Sequence, residues 1–110
     1  MKDNNVRTIK ITRTIDGDTV VGTLHLLNDE IQLHDQHFRL WGVDTPERKE
    51  AGYNEATEFT RKLVDEKTVT GKIYGKDAFG RWLTDIYIED SEKTVSEVLL
   101  ERKLGVVYKR

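Results

Sequence analysis

Seven polar residues near predicted turns and strand ends have the chemical types that could act on a phosphate ester. The carboxylates are Asp16, Asp18, Asp44 and Glu47, the guanidiniums are Arg39 and Arg81, and Thr45 adds a hydroxyl and a backbone carbonyl. Carboxylate and carbonyl oxygens are the ligands that Ca²⁺ or Mg²⁺ prefers, and a guanidinium can donate two parallel hydrogen bonds to a phosphate. A free carboxylate beside a metal can activate water as a general base. Together, these groups would suit hydrolysis of a phosphodiester, in which negative charge accumulates on phosphoryl oxygens.

Each of these motifs also has an ordinary structural interpretation when it is taken alone. Asp16-Gly17-Asp18 is typical of a turn, and Asp44-Thr45-Pro46-Glu47 is typical of the start of a helix or turn. Arg39 could lie on a solvated strand face or form a surface ion pair, and Arg81 could be a plain hairpin residue. The combination of the motifs favours an active site over these separate structural roles.

Composition limits the classes of protein that the chain can belong to. Its 110 residues predict a single domain over residues 1–110, and 18 basic against 20 acidic residues argue against a polycation that coats nucleic acid. The absence of cysteine excludes disulfides, thiolate metal sites and a cysteine nucleophile. The three histidines are His25, His34 and His37, and their spacing is not typical of a zinc enzyme.

The sequence has no run of about 20 apolar residues that could span a membrane, and its first residues contain no apolar signal-peptide segment. We therefore expect no membrane partner and a cytoplasmic location, or secretion if a leader peptide has been removed. We expect a monomer or a weak homodimer.

The elements that must position the polar residues begin with three predicted strands. They span Thr8–Ile15, Thr19–Leu27 and Ile31–Val43. In the first, isoleucines alternate with polar residues, which is the period-2 pattern of a half-buried strand. The carboxylates of Asp16 and Asp18 fall in the turn after the first strand, and Asp44 follows the third.

Two helices and two more strands follow. Asn54 is the predicted N-cap of a helix whose apolar residues are Ala56, Phe59, Leu63 and Val64. Strands are predicted over Val69–Tyr74 and Arg81–Ile88, and Thr94-x-x-Glu97 predicts a capping box at the start of a second helix. This order predicts an α+β fold, a five-stranded Greek-key barrel of the OB type with two helices.

Three ordered motifs carry a resemblance to a known family. The chain resembles the thermonuclease (staphylococcal nuclease-like) family at these motifs. In chain order they are Ile15-Asp16-Gly17-Asp18-Thr19-Val20, Phe38-Arg39-Leu40-Trp41-Gly42-Val43-Asp44-Thr45-Pro46-Glu47 and Phe79-Gly80-Arg81. The resemblance runs from about Thr8 to Leu104. It implies a five-stranded OB-like barrel and a calcium-dependent (Ca²⁺) endonuclease that cleaves DNA and RNA with little preference for the sugar.

The resemblance also implies a role for each polar residue. Asp18, Asp44 and the backbone carbonyl of Thr45 match the calcium ligands, and Asp16 matches an acid near the ion that does not touch it. Glu47 matches the general base, and Arg39 and Arg81 match the two phosphate-binding arginines.

Two departures from the family pattern leave alternatives open. Phe79 stands where family members often have a tyrosine, and a phenyl ring cannot donate a hydrogen bond to phosphate. The chain also ends soon after Leu104, and its apolar run Val106-Val107-Tyr108 predicts a strand paired within the barrel, a self-association surface or a frayed tail. The alternatives to an enzyme are an inactive OB-fold module that binds nucleic acid or protein, and an inert remnant.

Overall fold

A closed barrel of five strands forms the body of the structure, a computed structural model that describes residues 5–89 and 91–108. The barrel strands are β1 (Val6–Asp16), β2 (Thr19–Leu26), β3 (Ile31–Leu40), β5 (Thr68–Lys76) and β6 (Trp82–Tyr87). Their order around the barrel is β1-β2-β3-β6-β5, and β5 closes it by pairing with β1. Only the β3–β6 pair is parallel among these strands. This arrangement confirms the predicted α+β fold with an OB-like barrel.

Two helices and a small second sheet complete the fold. The helices are α1 (Tyr53–Val64) and α2 (Val95–Glu101), and the second sheet pairs β4 (Val43–Asp44) with β7 (Val106–Val107). Neither helix in residues 5–89 and 91–108 has the length and apolar composition needed to span a membrane.

Alternating side chains build the core of the barrel. Ile9 and Ile11 of β1, Phe38 and Leu40 of β3, and Ile86 of β6 are fully buried. Their neighbours along β1 face solvent, as the period-2 pattern requires. Burial of these large apolar side chains is the main favourable term that holds the strands in register.

The first helix begins two residues earlier than the sequence indicates. The prediction that Asn54 is its N-cap is wrong, because Gly52 occupies that position with φ +89° and Asn54 lies within the first turn. A residue with positive φ reverses the chain before the helix, and glycine adopts that conformation without steric cost. The predicted apolar face is present, with Ala56 and Val64 buried and Phe59 packed against the core.

The predicted third strand, Ile31–Val43, is interrupted. β3 ends at Leu40, and Trp41 and Gly42 form a turn before β4. Gly42 has φ +80°, which a regular strand does not accommodate. The break turns the chain off the barrel, so that Asp44 leaves the line of β3.

The second helix begins where the sequence predicts. The Thr94 hydroxyl accepts a hydrogen bond from the Glu97 N–H (3.2 Å), and the Thr94 N–H donates to the Glu97 carboxylate (3.1 Å). This reciprocal pair confirms the predicted capping box.

The apolar run near the C-terminal end forms a strand, but outside the barrel. Val106 and Val107 of β7 pair with Asp44 and Val43 of β4, so the prediction of pairing within the barrel is wrong. Tyr108 extends the contact by donating its N–H to the Gly42 carbonyl (3.0 Å). Both valine side chains remain exposed, and self-association through them stays a prediction.

One buried hydrogen bond connects α1 to the turn between β1 and β2. Its contribution to the stability of the fold can be measured. The Thr60 hydroxyl donates to the Gly17 carbonyl (2.7 Å), and Thr60 is fully buried. Replacing Thr60 with Val keeps the shape but leaves that carbonyl unsatisfied. We expect Thr60→Val to lower the free energy of unfolding by about 1–3 kcal/mol in urea titrations.

Thr57 on the same helix is the matched control for that measurement. It is buried as well, but its hydroxyl has no hydrogen-bond partner among the described residues. Thr57→Val should therefore leave stability unchanged or raise it, because it removes an unsatisfied polar group. Equal losses in the two variants would contradict the importance of the Thr60 bond.

Candidate active site

A cleft of about 430 Å³ brings together all seven polar residues that the sequence places near turns and strand ends. It lies where the β1–β2 turn, the end of β3, the segment after β4 and the β5–β6 turn meet. Its lining residues include Asp16, Asp18, Arg39, Asp44, Thr45, Glu47 and Arg81. Residues from four separate parts of the chain therefore share one concave surface, as functional groups in enzyme sites do.

A tightly packed turn presents the first two carboxylates. A Cβ atom on Gly17 would lie 2.8 Å from the Thr45 hydroxyl and 2.9 Å from the Ala56 side chain, so only glycine fits there. Within the turn, the Asp18 N–H donates to the Asp16 carboxylate (3.2 Å). The close packing fixes this turn against both α1 and the segment after β4.

Asp18 is the most deeply buried acid of the cleft, with 7% of its surface exposed. Its carboxylate accepts hydrogen bonds from the Thr45 N–H (3.0 Å) and the Thr19 hydroxyl (3.1 Å). Burial by itself would raise the pKa of Asp18. Hydrogen bonds from Asp16 and Thr45 and the charge of Arg39 outweigh burial and hold the pKa below its usual value. Asp18 is therefore a stable anion.

Asp16 behaves in the opposite way. Burial, followed by its hydrogen bond and charge repulsion with Asp18, raises the pKa of Asp16 to about 6. Two acids this close do not ionise independently, so the charge of Asp18 opposes ionisation of Asp16. A bound cation would relieve that repulsion.

Arg39 is buried, with 5% of its surface exposed. Its guanidinium lies between the carboxylates of Asp18 and Asp44. Its Nη2 lies 3.2 Å from an Asp44 oxygen and 3.5 Å from an Asp18 oxygen. Its Nη1 donates to the carbonyls of Leu40 (3.0 Å) and Val43 (2.7 Å), which spans the turn after β3. The alternative of a solvated strand face for Arg39 is therefore wrong.

The turn that carries Arg81 is organised by a residue that the sequence analysis misses. Asp77 accepts hydrogen bonds from the backbone N–H groups of Phe79 and Arg81 (2.9 Å each) and from Arg81 Nε (2.7 Å). These bonds and the Arg81 charge outweigh burial and hold the pKa of Asp77 below its usual value. An aspartate four residues before the arginine, in a turn that contains Gly80, is the signal that could have identified it.

Two aromatic residues border the cleft, and neither is among the predicted site residues. Phe79 is 83% exposed, and the Arg81 guanidinium lies 5.5 Å from the centre of its ring. Tyr108, in the tail after β7, places its ring 5.4 Å from the Arg39 guanidinium. Cations over aromatic rings are attracted by the ring quadrupole, so these rings help to fix both arginines.

Glu47 has the position expected of a reactive group at the rim. Its side chain is exposed and lines the cleft, and its backbone N–H donates to the Glu50 carboxylate. That backbone bond fixes the chain at Glu47 without using its own carboxylate.

Asp18 and Asp44 are the carboxylates of the cleft whose oxygens could hold a calcium ion. They lie close together, because both approach the same Arg39 nitrogen, Nη2. In the described part of the chain, no three side chains of the His, Cys, Asp or Glu type converge as a complete metal site. Carbonyl and water ligands would have to complete the shell. Calcium accepts such flexible and mixed coordination.

Comparison with known proteins identifies the family. The model of the family described as "Staphylococcal nuclease homologue" matches residues 37–110. A "Staphylococcal-like nuclease CAN1" of Arabidopsis thaliana is 35% identical over 81 residues, which are 74% of this chain and 24% of the relative. An "Uncharacterized endonuclease" of Escherichia coli O157:H7 is 27% identical over 101 residues, 92% of this chain and 61% of the relative.

A "Probable endonuclease LCL3" of Yarrowia lipolytica is 32% identical over 80 residues, 66% of this chain and 35% of the relative. The chain thus spans between about a quarter and three fifths of the length of these curated relatives. The matched residues 37–110 contain Arg39, Asp44, Glu47 and Arg81, and the barrel they complete is the one that the resemblance implies. The chain belongs to the staphylococcal nuclease homologue family.

Proposed function

We propose that this chain is a nuclease domain, a calcium-dependent endonuclease that hydrolyses phosphodiester bonds of DNA and RNA with little preference for the sugar. The observation that carries the proposal is that one cleft is lined by two carboxylates, two guanidiniums and an exposed glutamate. These are Asp18 and Asp44, Arg39 and Arg81, and Glu47. Family membership and the endonuclease names of its relatives support the same reaction class.

We assign the calcium ligands as Asp18, Asp44 and the backbone carbonyl of Thr45. Asp16 would lie near the ion without contacting it. When bound there, calcium would offset the negative charge of the substrate phosphate and favour ionisation of a nearby water. Asp18 is a stable anion because Thr45, Asp16 and Arg39 favour its charged form. It is therefore ready to act as a ligand at neutral pH.

Glu47 is assigned the role of general base. Its exposed carboxylate on the rim can accept a proton from an attacking water, while its backbone is fixed by Glu50. General-base catalysis of this kind contributes roughly 100- to 10,000-fold in rate.

Arg39 and Arg81 are assigned to the phosphate. The Asp77 carboxylate uses the Nε–H of Arg81, so the Nη groups are the ones we assign to phosphoryl oxygens. Arg39 additionally holds Asp18 and Asp44 together. Donors fixed in this way stabilise charge as it develops and need little reorganisation.

A second candidate function is an inactive module that binds nucleic acid or protein. Phe79 favours it, because its ring cannot donate the hydrogen bond that a tyrosine would give to phosphate. Degradation of plasmid DNA and of RNA, in calcium and in chelator, separates the two functions. A domain that binds without cleaving in calcium would contradict the nuclease proposal.

Replacing the base tests the chemical step. We expect Glu47→Gln to lower single-turnover rates about 100-fold or more and to leave substrate affinity nearly unchanged, since the amide keeps the shape but accepts no proton. Glu55→Gln, on the exposed face of α1, removes the same charge and should keep normal rates. If folded Glu47→Gln cleaves within about threefold of the parent, Glu47 is not the base.

A double-mutant cycle tests the link between Asp77 and Arg81. Arg81→Lys should lose about 100- to 1,000-fold in rate, because lysine lacks the two-pronged donor. Asp77→Asn should also slow cleavage in the parent, but it should add little in an Arg81→Ala background, where there is no guanidinium left to orient. Additive losses in the cycle would show that Asp77 does not act through Arg81.

Calorimetry tests the metal assignment independently of cleavage. Asp44→Ala should weaken calcium binding at least about tenfold, whereas Glu55→Ala should leave it unchanged, because Glu55 lies on α1 outside the cleft. Cleavage should require calcium, and magnesium should support it poorly because magnesium demands near-octahedral geometry. Unchanged calcium affinity in Asp44→Ala would remove Asp44 from the ligand set.

A further inference from the structure

A second pocket, of about 280 Å³, opens at one end of the barrel and shares no lining residue with the cleft. All five barrel strands contribute residues to the wall of this pocket. The pocket therefore lies at an open end of the barrel. Its apolar wall consists of Leu24, Leu26, Leu33, Ile73 and the ring of Trp82. We call it the barrel-end pocket.

The barrel-end pocket adjoins the proposed active site along the β5–β6 hairpin. Lys76 and Trp82 form the β5–β6 pair next to the turn of that hairpin. The turn between them contains Asp77, Phe79 and Arg81. The arginine assigned to phosphate, Arg81, and the tryptophan of the pocket, Trp82, are consecutive residues. A strand bound at Arg81 can therefore continue to the pocket with its neighbouring nucleotides.

Two aromatic rings in the pocket are held in fixed orientations. The Trp82 indole N–H donates to the Gln36 side chain (2.9 Å). The Tyr74 ring stacks on Trp41 with centroids 4.3 Å apart, and its hydroxyl donates to Asp85 (2.9 Å). Fixed rings of this kind lose little entropy when they receive a planar ligand.

Positive charge accompanies these rings. Lys76 Nζ lies 4.5 Å from the centre of the Trp82 ring, and Lys72 Nζ lies 5.3 Å from that of Tyr74. Arg7 lines the pocket, and no carboxylate is among its lining residues in the described chain. The cleft, in contrast, is lined by Asp16, Asp18, Asp44, Glu47 and Asp77. The lining of the pocket is thus less acidic than that of the cleft.

We propose that the barrel-end pocket receives an unpaired base of the substrate strand, while Lys72 and Lys76 contact the flanking phosphates. This inference rests on the proposed function, in which nucleic acid is the substrate. Cations combined with stacking rings are the usual means of binding single strands. At about 280 Å³ the pocket is smaller than the roughly 300–1,000 Å³ of drug-sized sites, so it suits one ring system. A base held in a double helix cannot enter, so the pocket favours single strands.

Nuclear magnetic resonance of the intact chain tests the proposal directly. A short oligothymidylate is added in chelator, where cleavage does not occur. We expect shifts of the Trp82 indole N–H and the Gly75 amide, which report the pocket, separately from those of the Asp18 and Phe79 amides, which report the cleft. The matching duplex should leave the Trp82 indole unshifted.

Two variants provide a quantitative test. Lys76→Ala removes one exposed charge, and it should reduce the slope of log affinity against log salt by about 0.7. Lys62→Ala, on the exposed side of α1, removes the same charge and should leave that slope unchanged. Leu33→Trp fills the pocket, and it should weaken oligothymidylate binding about fivefold or more, the contribution of one stacked base.

The outcomes separate this inference from the nuclease proposal. Shifts confined to the cleft would overturn the pocket and leave the nuclease proposal intact. Shifts in the pocket without cleavage in calcium would support the pocket and contradict the nuclease. Leu27 and Ile31 at the tip of the β2–β3 hairpin are exposed and would also suit a protein partner. A Trp82 indole that shifts with an apolar peptide but not with the oligothymidylate would overturn the proposal.

Discussion

The rest of the structure depends on how the buried carboxylate of Asp18 is neutralised. An ionised group without partners in an interior costs several kcal/mol, so a buried carboxylate must attract donors from elsewhere in the chain. Here the donors are the Thr45 N–H, the Thr19 hydroxyl and the Arg39 guanidinium. Meeting this one requirement brings together the start of β2, the end of β3 and the segment after β4. The cleft lies between these three segments and the β5–β6 turn.

The same constraint shapes the electrostatics of the cleft. Arg39 is shared between Asp18, Asp44 and two backbone carbonyls. Burial, the hydrogen bond with Asp18 and the Asp18 charge raise the pKa of Asp16 to about 6. Five acidic side chains line the cleft beside two arginines. Under the proposed function, a bound cation would offset this excess of negative charge when a phosphate binds.

The sequence predicts features whose partners are close along the chain. The capping box joins Thr94 to Glu97, and the strand pattern of β1 needs only the alternation of Ile9 and Ile11. Two distant contacts are not predicted. The sequence indicates the Gly17 turn but not its hydrogen bond with Thr60, 43 residues away, and it does not indicate that β7 pairs with β4.

The wrong predictions have a common physical origin. Asn54 is a good N-cap by residue type, but the tight approach of Pro46 and the positive φ of Gly52 set the start of α1. The apolar pattern of Ile31–Val43 continues through Gly42, yet the positive φ there and the Arg39 bonds to Leu40 and Val43 turn the chain. The break after β3 places Asp44 and Thr45 in the cleft. Departures from local preference thus concentrate where tertiary contacts build the site, because those contacts can offset the local cost.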